Sequence, residues 1–424
     1  MFEPASLPEE YCEAGASGII LTVDIAMEKA IAAARRVPEI ERLALLDAAG
    51  RILANPIHSP MFLPPFDSSA MDGYAFSFAD LSGSGPWMLK VSGRLAAGGV
   101  PPRGAGRGTA IRIFTGAIIP PGYDTVVMQE HCELRGETIV ISNRPAKGTN
   151  VRRTGEDAAA GSRLTEAGDL LSPAKLVLLA GAGIAEVDVF RRVRIGLIST
   201  GSELREPGDA LQPGQIYNSN RVLLRASLTA HSWTDVIDFG IVPDDRARLA
   251  EVIALAAAQC DVVVTTGGVS AGEEDHVASV LGAAGASLEV LKVAMRPGKP
   301  LKIGLIGNVL FAGLPGNPNA SLVTFRQIAL PAIRHIAGLR QILPEWQAAI
   351  SGFSYEKRLG RTEFVPVRVA ETSEAFAPVI DILGRASSAS LSALSRSDGI
   401  ALLSPEATSI TPGAKLRFER LWPV

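Results

Sequence analysis

Asp261-Val-Val-Val-Thr-Thr-Gly-Gly-Val-Ser-Ala-Gly272 runs a β-branched stretch straight into a glycine-rich turn. The three valines at 262–264 have the continuous apolar character of a strand covered on both faces. Outward from it the pattern alternates, with 195–199 as strand, 220–231 as helix, 233–239 as strand and 245–259 as helix. In the last of these Leu249, Val252, Ile253 and Ala256 recur at helical spacing. Such alternation between 194 and 338 predicts βαβ units around a mainly parallel sheet, a three-layer α/β/α domain. Ligands of such sheets bind beyond the carboxyl ends of the strands, where Thr200-Gly-Ser-Glu203 and residues 265–270 fall.

The flanks read differently. Residues 24–37 place Ile25, Met27, Ile31 and Ala34 near helical spacing and stop at Pro38, an amphipathic helix. Residues 56–121 are rich in proline and glycine, with β-prone runs at 110–115 and 125–129, and predict a small β-rich domain. Ser172-Pro173 opens a helix that Gly181-Ala-Gly183 closes. Those glycines look like half a dinucleotide fingerprint, but they follow a helix, and Glu186 stands where the third glycine belongs. Beyond 346, short β-like runs at 363–369, 399–403 and 415–418 predict a terminal β-barrel or sandwich.

Composition excludes several classes. A chain of 424 residues exceeds one ordinary domain, and 47% apolar with 20% charged residues lies in the globular range. With 41 basic and 44 acidic residues the net charge is −3, which offers no field for nucleic acid. Cys12, Cys132 and Cys260 are far apart, which predicts neither a disulfide framework nor a zinc knuckle and favours a reducing compartment. Acidic residues near the start and no basic-then-apolar leader lead us to expect a cytoplasmic protein that is not exported. The longest apolar run, 176–184, falls far short of the about 20 residues of a membrane span.

Candidate chemistry gathers in a few loops. Amides bared by Gly267 and Gly268, with the helix start near Asp275, would form an anion cradle that includes Ser270; a tight strand-to-helix turn capped by Asp275 accounts for the same residues. Glu273, Glu274 and Asp275, with Glu203 and Asp244 each just past a strand, make sense beside a phosphate chiefly if a hard cation such as Mg²⁺ joins them. Lys292, Arg296 and Lys299 lie in a proline-stiffened stretch suited to an oxyanion or polyphosphate. Pro315, Asn317 and Pro318 form a rigid turn that opens the next helix. Residues 65–75 pack Asp67, Asp72, two serines and Tyr74 into one loop, either a binding loop or an interface. The five histidines are scattered, and only Cys132 has a neighbouring histidine, His131, so triad-type nucleophilic catalysis is disfavoured.

Seven of these segments, in order, resemble a molybdopterin molybdenumtransferase of the MoeA and gephyrin E-domain type: Asp67-Ser-Ser-Ala-Met-Asp-Gly-Tyr-Ala75, Arg112-Ile-Phe-Thr-Gly-Ala117, Arg153-Thr-Gly-Glu-Asp157, Ser199-Thr-Gly-Ser-Glu-Leu204, Thr266-Gly-Gly-Val-Ser270, Arg296-Pro-Gly-Lys-Pro300 and Leu314-Pro-Gly-Asn-Pro318. The resemblance implies insertion of molybdate into adenylylated molybdopterin with Mg²⁺-dependent release of AMP, by an elongated homodimer with composite sites. It implies a discontinuous linker domain (20–60 and 156–191), a β-rich domain carrying Asp72 (61–155), a molybdopterin-binding α/β domain (192–339) and a C-terminal β-barrel (340–424). It casts Asp275 and Glu203 as metal or water-positioning acids with Asp244 in support. Arg296 and Lys299 would hold molybdate, and Lys292 with the Gly267-Gly268 amides the phosphates. Asp72, Thr115, Arg152 and Asp157 would come from the partner subunit. Asn220, Pro315, Asn317 and Pro318 would line the substrate, and Arg361, Ser387 or Ser388 would add anion contacts. Ser202 stands where an aspartate or asparagine is usual, Arg296 where lysine is usual, and Asn319-Ala-Ser321 where Val-Ser-Ala is usual. A molybdopterin adenylyltransferase, as a partner or as the alternative activity, a nucleotide pyrophosphatase and a non-catalytic pterin carrier are the competing expectations.

Overall fold

A computed structural model describes residues 20–37, 39–102, 106–267, 276–283, 285–371, 377–384 and 389–421. Its largest sheet orders the strands Ile20–Leu21, Ser287–Val293, Pro300–Ile306, Val309–Leu314, Val262–Thr266, Val193–Thr200 and Thr234–Val242. All run the same way except Pro300–Ile306, which is antiparallel to both its neighbours. The exception has a local cause. Ile306 and Val309 face each other across Gly307-Asn308, and a two-residue connection joins only antiparallel strands.

Alternate residues of the central strands feed two cores. Ile195, Leu197, Val262 and Val264 pack with Leu224, Leu228 and Leu322 on one face, while Ile198 and Val263 pack with Leu249, Val252 and Val277 on the other. That two-sided burial is why 262–264 tolerates no polar residue. The helices Ser219–Thr229 and Arg246–Gln259 start where Asn218 and Asp245 accept the amides of Arg221 and Arg248. The helical stretch 318–336 holds a π turn at Phe325–Ala329, where Pro331 lacks the N–H that the Gln327 carbonyl would receive. Ile20–Leu21 joins the large sheet beside Ser287–Val293, and Val23–Ala33 buries Ala26 and Ala30 in the sheet's core, so residues 20–37 pack with the α/β layer.

The chain forms two further β bodies. The strands Thr125–Met128, Gly73–Phe76, Thr109–Ile113, Trp87–Leu95, Thr138–Ile141 and Cys132–Arg135 form a six-stranded sheet over Phe76, Leu89, Ile111 and Ile139. At the C-terminal end, Thr362–Glu371, Val379–Ile382, Gln347–Ser351, Lys415–Arg420 and Gly399–Leu403 pair in a ring that returns to Thr362–Glu371, a closed barrel around Val365, Ile380 and Phe418. Distant segments meet where Ile40–Ala44 pairs with Glu186–Phe190 and Ile57–His58 with Arg163–Thr165, around Leu45, Leu53, Leu171 and Leu179. The architecture is multidomain α/β plus β, as the alternating pattern predicts.

Candidate active site

Parallel strands bring Thr200, Val242, Thr266 and Leu314 to one edge of the large sheet. Gly267 turns the chain there with φ at +88°, donating its N–H to the Leu314 carbonyl at 3.1 Å. A methyl group on Gly267 would overlap the Thr200 carbonyl oxygen, so glycine is demanded by space as well as by φ. Thr200 Oγ1 donates to the Thr266 carbonyl at 3.2 Å, and the buried Thr265 hydroxyl has no hydrogen-bond partner among the described residues. Gly268, Ser270 and Asp275 lie outside the described residues, which resume with the helix His276–Ala283.

On the next strand ends, Ser202 and Asp244 clasp each other. The Ser202 N–H donates to Asp244 Oδ2 at 2.9 Å, and the Asp244 N–H donates to Ser202 Oγ at 3.1 Å. The Ser202 hydroxyl and amide thus hold two loops in register. Glu203 is exposed, with its carboxylate folded over Gly201. Among the described residues no group of three or more histidine, cysteine or acidic side chains is gathered as a metal cage. Asn220 Nδ2 donates to the Gly316 carbonyl at 2.6 Å, tying the Ser219–Thr229 helix to the 314–318 turn, while its buried Oδ1 has no partner among the described residues. Pro315 is buried; Asn317, at the cap of the helix that starts at Pro318, is exposed and makes no side-chain capping bond.

The basic stretch reaches the same edge. Lys292 ends the Ser287–Val293 strand half-buried and Lys299 is exposed. The Lys299 carbonyl accepts the Val293 N–H at 2.9 Å, closing a loop. Gly298, with φ at +106°, lies so near the Thr324 hydroxyl that a side chain would collide with it, so this loop rests on the helix behind Asn317. Arg296 pairs in parallel register with Glu363 of the barrel, and its guanidinium lies 3.5 Å from the Glu363 carboxylate. Arg361 reaches the same carboxylate at 2.9 Å, so two cations 65 positions apart in the chain become neighbours only through the barrel. Ser387 and Ser388 lie outside the described residues.

Asp72, in the six-stranded body, accepts both the N–H and the hydroxyl of Thr115 at 2.8 Å. The Thr115 amide first, then its hydroxyl and the charge of Arg112, hold the Asp72 carboxyl below the usual carboxylate range. Arg112 is itself held between the rings of Tyr74 and Phe114. Arg152 is exposed opposite Ser68 in a two-residue ladder, and Asp157 is exposed, its N–H bonded to the Leu63 carbonyl at 2.9 Å. Among the described residues no hydrogen bond or ion pair joins Asp72, Thr115, Arg152 or Asp157 to the sheet edge. Sequence reasoning missed Glu363 and Tyr355; the available signal was a lone acid at the head of the apolar run Glu363-Phe-Val-Pro-Val367.

Family models match in three consecutive blocks: the MoeA N-terminal region (domain I and II) over residues 21–183, a probable molybdopterin binding domain over 196–335, and the MoeA C-terminal region (domain IV) over 348–421. A molybdopterin molybdenumtransferase of Haemophilus influenzae is 42% identical over 347 residues, spanning 81% of this chain and 85% of that protein. Two crystal structures of the molybdopterin biosynthesis MoeA protein from Pyrococcus horikoshii superpose with TM-scores of 0.75 and 0.79 at 30% and 26% identity, covering 96% and 95% of this chain and 100% of each of theirs. With matches across all three blocks and relatives aligned over most of their length, this chain belongs to the MoeA family of molybdopterin molybdenumtransferases.

Proposed function

We propose that this enzyme inserts molybdenum into molybdopterin, taking adenylylated molybdopterin and molybdate as substrates and releasing AMP as the phosphoanhydride is cleaved. The observation that carries the reading is the convergence, on one sheet edge, of the Gly267 turn, the Ser202–Asp244 clasp, the 314–318 turn and the Lys292–Lys299 loop. The Gly267 and Gly268 amides with Ser270 and Lys292 hold the phosphates. Arg296 and Lys299 hold molybdate, and Arg361 with Ser387 or Ser388 adds further anion contacts. Asn220, Pro315, Asn317 and Pro318 shape the wall that receives the pterin, and Asp244 keeps the Glu203 loop in register.

Mg²⁺ takes one or two protein carboxylates and fills its shell from phosphate and water, and the exposed Glu203 is of that donor type. Glu203 with Asp275 would hold the ion, which would neutralise charge on the phosphates. Asp72, Thr115, Arg152 and Asp157 complete the site from the partner subunit of a homodimer. The proposed division assigns the β-rich body to 61–155, the α/β layer to 192–339 and the barrel to 340–424. Among the described residues Cys132 and Cys260 are free thiols, which suits a reducing compartment, and a molybdopterin adenylyltransferase would supply the substrate. The test is incubation with adenylylated molybdopterin, molybdate and Mg²⁺, following AMP and protein-bound molybdenum together. AMP release that needs molybdate is expected; equal release without it would leave a pyrophosphatase in place of the transferase.

A further inference from the structure

Two carboxylates are buried at the junction of the barrel and the α/β layer, and they are compensated differently. Glu419, 4% exposed, is met by one guanidinium, Arg326 at 16%, and by the amide of Gln327 at 2.6 Å. That is a neutral pair, which is what a buried charge requires. Glu363 is 1% exposed and carries two guanidiniums: Arg361 on Oε1 at 2.9 Å, and Arg296 on Oε2 at 3.5 Å. The Tyr355 hydroxyl adds a third donor to Oε2 at 3.0 Å. One cation would neutralise Glu363, so the second is surplus. Both arginines stay open to solvent, at 44% and 33%, whereas the Arg326 side chain is mostly covered.

The backbone explains how this is built. Arg296 stands opposite Glu363 in the parallel bridge between Met295–Arg296 and Thr362–Glu371. Arg361 lies two residues before Glu363, just ahead of that strand, and its guanidinium turns onto the Glu363 carboxylate. Burial first, and then the Glu363 carboxylate, raises the Tyr355 phenol above its ordinary range, so it remains a donor at neutral pH.

We infer that Glu363 is a positioning residue which, with Tyr355, holds Arg296 and Arg361 side by side as a preset two-guanidinium clamp for a tetrahedral oxyanion. The inference rests on the proposed reaction and deepens it, since it assigns the setting of the molybdate site to a carboxylate that touches no substrate. A planar fork gains most when its geometry is fixed in advance, because little rotamer freedom is then lost on binding.

The sign of a single measurement decides it. Deleting the negative charge of Glu363 would by Coulomb attraction alone tighten the binding of a dianion. Releasing two long side chains of like charge would weaken it. Molybdate alone is titrated by calorimetry into the full-length protein and into Glu363→Gln and Tyr355→Phe, and turnover is measured separately against each substrate. We expect Glu363→Gln to weaken molybdate binding about tenfold, because it loosens both guanidiniums, and Tyr355→Phe about threefold, because it removes one of the three donors to the carboxylate. The half-saturating concentration of adenylylated molybdopterin should stay within about twofold.

Unchanged or tighter molybdate binding by Glu363→Gln overturns the clamp, and so does a parent protein that binds no molybdate. If Glu363→Gln does not fold, Tyr355→Phe decides, and unaltered binding there overturns it. A parent that binds molybdate but shows no molybdate-dependent AMP release defeats the proposed reaction, while the binding comparison still judges the clamp.

Discussion

At Gly267 the backbone is held in the left-handed region and an added Cβ would overlap the Thr200 carbonyl, so any side chain meets both a conformational and a steric penalty. Gly267→Ala should lower unfolding stability by about 2 kcal/mol or more, read from urea denaturation, because strained φ and a displaced neighbouring strand act together. An unaltered midpoint would show that the turn has another conformation open to it. Asp67 makes a pH-dependent case. Burial raises its carboxyl, but the Thr154 N–H at 2.8 Å, Arg153 at 2.7 Å and the Thr154 hydroxyl outweigh this and leave it below its ordinary value of 3.8. A lowered folded pKa contributes stability above the unfolded value and loses it as pH falls through the folded one. Asp67→Asn should therefore melt below the parent at neutral pH, and the two melting curves should converge as the pH drops below the carboxylate range; a gap that persists in acid would assign the loss to packing.

Between elements, Glu419 links the last barrel strand to the π turn of the 318–336 helical stretch through Arg326 Nε at 2.9 Å and Gln327 Nε2. Removing one partner of such a pair strands the other in a dry interior, so Glu419→Ala should cost about 3–5 kcal/mol in equilibrium unfolding. A loss near zero would mean that Arg326 swings out to water. The pairing was not legible beforehand, since Arg326 and Glu419 are far apart in sequence and sit in ordinary-looking helix and strand patterns. The antiparallel strand is the opposite case. Its Ile306-Gly-Asn-Val309 connection is a hairpin signal of known form, legible from four adjacent residues.

For the whole molecule, the separation of the Asp72–Thr115 cluster from the sheet edge bears on assembly. If each site is shared between two subunits, Asp72→Asn and Arg296→Ala damage different halves of it. Co-expressed in one cell, they should recover about a quarter of parental activity, since half of the dimers are mixed and each mixed dimer keeps one intact site. Each variant alone should be nearly inactive, and a mixture no better than its parts would put the whole site within one chain.

Periodicity alone predicted the α/β layer, because a strand buried on both faces must be apolar at every position and an amphipathic helix must repeat near 3.6. The Ser172-Pro173 helix start and the short β runs of the barrel were legible for the same local reason: each depends on a few adjacent residues. The parallel ladders then carried Glu203, Asp244 and Gly267 to one edge. Only tertiary structure decided that Arg296 and Arg361 share one carboxylate, that Ser202 and Asp244 clasp each other, and that residues 20–37 join the sheet. Those contacts bridge long stretches of chain, and which distant side chains meet is set by strand register and barrel closure, not by anything a local pattern encodes.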